Sequence, residues 1–147
     1  MIFMQHLGLR NITSLVERVS RFTVLLKNDD KKTRNVLGKV IDAIAHLPLK
    51  ARKSITFDRG TEFVAWPHLQ AETGTQTWLC DPSSPWQKGT VENTNRRARR
   101  RLPRKLDLKH VSEADLKSLS DKLNATPRKF LGWKTPAEVL REKMMAR

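Results

Sequence analysis

The stretch Asp81-Pro82-Ser83-Ser84-Pro85-Trp86-Gln87-Lys88-Gly89-Thr90-Val91-Glu92-Asn93-Thr94-Asn95-Arg96-Arg97-Ala98-Arg99-Arg100-Arg101 decides how this chain is read. Its first half is a loop, because Pro82, Ser83, Ser84, Pro85 and Gly89 interrupt any regular element. Its second half is a helix that starts after Gly89 and stops before Pro103. Val91, Thr94, Ala98 and Leu102 recur at helical spacing and form the less polar side, able to pack inward. Asn95, Arg96 and Arg99 lie three, four and seven positions after Glu92 and share its flank. A carboxylate, an amide and two guanidinium groups in a row suit a phosphate backbone held beside a metal ion. Seven of the ten residues 96–105 are basic. A charge run is commonly just a solvated face, but at this density the cations repel one another unless an anion is present. Trp86, in the loop ahead of the helix, either stacks on a base or anchors the loop.

Working towards the N-terminus, a second carboxylate comes into view. Residues 53–57 (Lys-Ser-Ile-Thr-Phe) read as a short strand, and Asp58-Arg59-Gly60 ends it. A helix over residues 67–73 and a strand over 75–80 fill the interval to the loop. Thirty-three residues separate Asp58 from Glu92. That is room for one helix, one strand and one loop, an order that can bring a strand-end carboxylate beside a helix carboxylate. Two carboxylates held together repel, and a divalent cation relieves the repulsion; hard oxygen donors suit Mg²⁺. Two such ions about 3.5–4 Å apart clamp the attacking and leaving oxygens of a phosphoryl displacement. Each residue also has a plain reading: Asp-Arg-Gly makes an ordinary turn, and Glu92 compensates a helix dipole.

The remainder of the chain supplies a frame. Residues 11–17 and 21–26 are β-branched and apolar and read as a hairpin across Arg18-Val19-Ser20. Asn28-Asp29-Asp30 offers caps for a helix over residues 33–47, with Val36, Leu37, Val40, Ile41, Ile44 and Leu47 on one face. Residues 113–124 form a helix with Ser112 as N-cap and Leu116, Leu119 and Leu123 aligned. A last helix over residues 135–145 has Thr135 as cap, Pro136 at the first turn and Glu138 three after the cap. Strand, strand, helix, strand, helix, strand, helix, helix is a mixed α/β layered domain. Trp66, Trp78 and Trp133 read as core or interface residues, and the four histidines show no ligand-like spacing.

Composition narrows the class. The 147 residues carry 29 Lys+Arg against 15 Asp+Glu, a formal charge of +14, which favours a polyanion partner over a neutral one. No apolar run exceeds four residues, far short of the roughly 20 that a membrane span needs. The opening residues lack the basic start and apolar stretch of a signal peptide. Cys80 is the single cysteine, so there is no intrachain disulfide and no cysteine zinc site. A reducing, cytoplasmic setting in association with nucleic acid is the expectation.

Three stretches resemble one family. Ile55-Thr56-Phe57-Asp58-Arg59-Gly60-Thr61-Glu62-Phe63 resembles the second-aspartate motif of DDE transposases and retroviral-type integrases. Residues 81–95 resemble the glutamate motif of one branch, the insertion sequence 30 family. Pro127-Arg128-Lys129-Phe130-Leu131-Gly132-Trp133-Lys134-Thr135-Pro136-Ala137-Glu138 resembles that branch's C-terminal signature. Leu15-Val16-Glu17-Arg18 and Ser20-Arg21-Phe22 look like its second and third strands, so the resemblance runs over residues 11–140. It implies an RNase H-like fold of the retroviral integrase catalytic core type: a five-stranded mixed sheet flanked by helices. It implies a two-metal Mg²⁺ (or Mn²⁺) site that cuts and joins DNA. Asp58 matches the second triad residue and Glu92 the third. Lys88, Asn93, Asn95, Arg96, Arg97, Arg99 and Arg100 are the expected DNA contacts, with Trp86 and Gln87 in the loop near the site. Element ends and target DNA are the implied partners, with a homo-oligomer or a hetero-oligomer with full-length transposase.

One departure changes the functional expectation. The family's first aspartate lies on the first strand, and residues 1–6 (Met-Ile-Phe-Met-Gln-His) hold no acid. The first acidic residue, Glu17, matches the second-strand motif instead. The expectation is therefore a catalytic core over residues 1–143, with a clipped first strand and without the family's N-terminal helix-turn-helix region. Such a chain is a partial or inactive transposase copy; the alternative is a non-catalytic DNA-binding remnant that interferes with full-length transposase. A basic structural protein is the third reading, and the paired carboxylates argue against it.

Overall fold

The computed structural model describes residues 2–3, 11–28, 33–45, 47, 54–57, 67, 71–72, 74, 76–79, 89–102 and 111–145. The alternating segments near the N-terminus pair as a meander. Strands β1 (Ile2–Phe3), β2 (Asn11–Val16) and β3 (Thr23–Asn28) form an antiparallel sheet in that order. The β2–β3 register runs from Asn11 opposite Asn28 to Val16 opposite Thr23. It places Ile12, Ser14 and Leu25 on one face and Thr13, Leu15 and Leu26 on the other, as the two-residue period requires.

Each face is covered by its own helical layer. On the first, Ile12 and Leu25 join Ala98, Val111, Leu116, Leu119 and Leu123, with Leu102 packed against them. These come from helices α2 (Gly89–Arg101) and α3 (Glu113–Asn124) and the residues beside them. On the second, Leu15 and Leu26 pack against Val36, Leu37, Val40 and Ile44 of α1 (Thr33–Ala45). The apolar periodicity of α1 therefore does what the sequence pattern requires. Its C-terminus comes two residues early, and Leu47 folds back so that its N–H donates to the Ile44 carbonyl at 3.0 Å.

Strands β4 (Ser54–Phe57) and β5 (Gln76–Leu79) pair in parallel, Ser54 opposite Gln76 through Phe57 opposite Leu79. Pro67, Ala71 and Glu72, between them in sequence, are helical. Among the described residues the strands pair as a three-stranded and a two-stranded ladder. Helix α4 (Pro136–Met145) follows a single 3₁₀ turn, Lys129–Leu131.

The hairpin departs from expectation at its turn. The strand expected over residues 21–26 begins at Thr23 and runs to Asn28. Glu17 is the cause. Its carboxylate accepts from the Val19 and Ser20 N–H groups and from Ser20 Oγ, at 3.2, 2.6 and 2.6 Å. The Glu17 N–H donates to Phe22 O and the Arg21 N–H to Glu17 O, both at 2.8 Å. This closes a longer loop, with Arg21 at φ 63°, in the left-handed region.

β3 forms one edge of its ladder, and side chains take up that edge. Thr23 N–H donates to Asn124 Oδ1 and Asn124 Nδ2 donates to Thr23 O, both at 2.8 Å. Leu25 N–H donates to Ser120 Oγ at 3.2 Å, and Lys39 Nζ donates to Lys27 O. Ser120 and Asn124 stand four apart on α3, the spacing that meets alternate residues of one strand edge. Both helices that end the chain begin with reciprocal caps. Asp115 N–H donates to Ser112 Oγ and Ser112 N–H to Asp115 Oδ2, each at 3.0 Å. Glu138 N–H donates to Thr135 Oγ1 at 3.2 Å, and Thr135 N–H to Glu138 Oε2 at 2.7 Å.

Candidate nucleic-acid interface

Helix α2 is the centre of the site. Thr94 and Ala98 are buried, and Leu102 packs on the core they reach. The inward line read from the sequence holds at these three positions; the Val91 side chain lies outside the described residues. Asn93, Arg96, Arg97, Arg99, Arg100 and Arg101 are exposed. The helix is anchored by a narrow apolar line, so its charge surplus is held at the surface in fixed rows. Among the described residues, none of these arginines forms an ion pair.

Glu92 sits on the first turn of α2 and Asn95 one turn further, with side chains outside the described residues. Asp58, Trp86, Gln87 and Lys88 also lie outside them, as do the four histidines and Trp66. What is described is their framing. Asp58 follows β4 directly in the chain. The parallel pairing puts the C-terminal ends of β4 and β5 at one end of their ladder. Among the described residues no group of three His, Cys, Asp or Glu is placed to hold a metal ion.

Glu17, the first acid in the chain, is fully engaged elsewhere. Besides the turn contacts it accepts from Lys143 Nζ of α4 at 2.6 Å. Burial raises its pKa, but Lys143, Ser20 and the Ser20 and Val19 amides outweigh this and bring it down to about 2. It is a structural carboxylate.

On the flank of α2 that carries Arg97 and Arg101, a cleft opens towards the turn that precedes α4. Arg97, Pro127, Arg128, Lys129 and Phe130 line it. Arg128 is buried, at 9% exposure, and its Nη2 donates to Leu123 O at 3.2 Å. Burial, then the nearby charges of Arg97 and Arg101, lower its pKa. The sequence reading missed Arg101, Arg128 and Lys129 as a group, because their meeting depends on packing between segments far apart in the chain. Trp133 is 67% exposed, so it is not a core residue. It follows Gly132, and both are in the left-handed region, at φ 65° and 66°.

No family model matches the chain. It is 40% identical over 126 residues to the transposase for insertion sequence element IS1086 of Cupriavidus metallidurans, covering 86% of this chain and 37% of that one. It is 39% identical over 130 residues to the transposase InsI for insertion sequence element IS30C of Escherichia coli K12, covering 88% and 34%. The chain thus spans about a third of the length of these relatives. Its fold matches the catalytic core domain of BIV integrase with a TM-score of 0.67, at 21% identity, over 92% of this chain and 95% of that one. The expected RNase H-like, integrase-core fold is therefore the observed one.

Proposed function

The chain belongs by sequence to the insertion sequence 30 family of transposases, and from that premise we propose that it forms the catalytic-core region of a DNA transposase. The reaction is DDE-type strand cleavage and strand transfer at the ends of an insertion element. The observation that carries this reading is the partition of α2. One narrow line, Thr94 and Ala98, is buried, while Arg96, Arg97, Arg99, Arg100 and Arg101 stand outward on the helix whose first turn carries Glu92.

Each group has a role in this reading. Asp58 and Glu92 are the carboxylates, and their hard oxygen donors fit Mg²⁺ or Mn²⁺. When bound, such ions supply a polarised scissile phosphate and a more acidic attacking hydroxyl. Arg96 and Arg99 hold the DNA backbone on the Glu92 flank of α2 and fix its register, with Lys88 at the mouth of the loop. Asn93 and Asn95 position groups around Glu92, and Trp86 and Gln87 shape the loop beside it. Among the described residues no helix is long and apolar enough to cross a membrane.

Two-metal chemistry of this type uses three carboxylates, and Asp58 and Glu92 supply two of them in this reading. Glu17 is committed to its turn and to Lys143. That observation favours a second reading for the chain acting alone: a non-catalytic DNA-binding protein that joins full-length transposase in mixed oligomers and interferes with it. One experiment separates the two. The chain is incubated with supercoiled plasmid and Mn²⁺, and nicking is compared with that by Asp58→Asn and Glu92→Gln. Nicking lost in both variants supports the catalytic reading. DNA binding without nicking, together with inhibition of an active relative added in trans, supports the second. Nicking that survives both substitutions sinks the assignment of Asp58 and Glu92.

A further inference from the structure

Arg128 poses a problem that its own neighbourhood does not solve. A guanidinium has five N–H donors and keeps its charge at every physiological pH, so a buried arginine is ordinarily matched by a carboxylate. Here its described side-chain acceptor is one neutral carbonyl, Leu123 O. Among the described residues the charges it feels are cations, Arg97 and Arg101. Those two stand four apart on α2, on the flank away from the Glu92, Asn95 and Arg99 positions. Lys129, exposed at the rim, adds a fourth positive group.

The segment that carries Arg128 is held in place for this arrangement. Its N–H donates to Lys134 O at 3.0 Å, and its carbonyl accepts from Leu131 and Trp133 N–H at 3.0 and 2.9 Å. Residues 128–134 are thereby closed on Arg128 itself. Phe130 projects from them, 59% exposed, with the Arg21 guanidinium 5.0 Å from its ring centroid. Among the described residues, Arg21 and Trp133 are the non-glycine positions with left-handed φ, and both belong to the two loops that meet at Phe130. Strained backbone of this kind persists where the surroundings over-determine it, and it clusters at binding sites.

We propose that the cleft between the C-terminal turn of α2 and residues 128–134 is a seat for a backbone phosphate of DNA, held by Arg97, Arg101, Arg128 and Lys129. Planar guanidinium forks converging on one cleft match a phosphodiester anion better than a single carboxylate does. The seat continues the arginine rows of α2, so one strand engages the Glu92 flank while a second phosphate is clamped on the opposite flank. This extends the DNA-binding role proposed for α2 and rests on it.

The test uses the full chain and a fluorescein-labelled 30-base-pair duplex, with anisotropy read from 50 to 300 mM KCl. Arg101→Ala with Lys129→Ala, both at exposed positions, weakens binding about tenfold at 0.1 M salt and lowers the salt slope by about 0.9, one phosphate's worth. Arg128→Met also loses affinity, yet unfolds without DNA at a temperature no lower than the parent, because it removes a buried cation with no anionic partner among the described residues. A double variant with unchanged affinity and slope, while Arg96→Ala with Arg99→Ala lowers both, overturns the seat and leaves the DNA reading intact. Unchanged binding in both pairs overturns the two together. A thermal shift by 10 mM inorganic phosphate that is lost in the double variant, with duplex binding unaltered, assigns the seat to free phosphate and overturns the DNA proposal.

Discussion

Helices α2 and α3 lean on the same apolar cluster and spend their polar residues in opposite ways. α3 opens with a reciprocal Ser112–Asp115 cap and buries Leu116, Leu119 and Leu123. It then turns Ser120 and Asn124 inward to satisfy the edge of β3. Its charges pair within the fold, Lys117 with Asp121 at 3.2 Å and Glu113 with Lys39 of α1 at 3.4 Å. Among the described side chains of α2 the buried ones are Thr94 and Ala98, and its last turn is Arg99, Arg100 and Arg101. Three guanidinium groups at the C-terminal end suit the helix dipole, but they still repel each other. α3 is a helix whose interactions close within the fold, while the α2 arginines have no ion-pair partner among the described residues.

That contrast can be broken most sharply at the core. Leu116 is 1% exposed, and Leu116→Ala costs about 3 kcal/mol in urea unfolding, the ordinary sum of transfer and cavity terms. A loss under about 1 kcal/mol would mean that α3 does not hold the core together. Next comes Glu17, which ties the β2–β3 turn to α4. Its pKa is depressed from 4.5 to about 2 in the folded chain, so its contribution is fully present above pH 4.5 and is lost as pH falls from there towards 2. The shift sets a ceiling of about 3 kcal/mol, reduced by solvent screening because the side chain is one-fifth exposed. The stability gap between the parent and Glu17→Gln, read from urea midpoints, is expected to close over that interval.

Asn124→Ala sharpens the comparison in a different way. It removes no apolar area of note but strands the Thr23 N–H and carbonyl, and about 2 kcal/mol is the expected loss. Asn124→Asp retains the acceptor and loses the donor, so it falls between the two. The smallest effect on folding belongs to α2. Replacing Arg96, Arg99 and Arg100 together by Ala is expected to shift unfolding by less than about 0.5 kcal/mol, because all three are exposed. The same triple variant is expected to reduce the salt slope of DNA binding by up to about 2.7, at about 0.9 for each phosphate left unneutralised. If it instead unfolds the chain while leaving DNA binding untouched, the division of labour between the two helices is wrong.

Much of this was legible in the chain. Period-two and period-3.6 patterns placed β2, α1, α2 and α3 within two residues, since both depend only on which side chains a neighbouring layer removes from water. The Thr135–Glu138 cap was legible for a similar reason: both partners lie within one helical turn. The Ser112 cap was read as well, but its partner Asp115 was not, because the reciprocal pattern favours Glu or Gln at that position. The start of β3 was misplaced. Arg21 and Phe22 look like strand residues, and nothing local announces that Glu17 will gather the Ser20 and Val19 donors into a longer turn.

The candidate site divides along the same line. Asp58, Glu92 and the arginine rows are legible from residue type and spacing, and Arg96, Arg97, Arg99 and Arg100 are exposed. The family, the layered α/β architecture and the surplus of +14 follow from the chain alone, because motifs, periodicity and charge are properties of order and composition. Packing in three dimensions was needed to show that Ser120 and Asn124 close the edge of β3, that Glu17 is bound to Lys143, and that Arg128 is buried beside Arg97 and Arg101. The partners in the first two cases are 95, 101 and 126 residues apart. Contacts across such distances are fixed by how layers pack, which no local rule of sequence encodes.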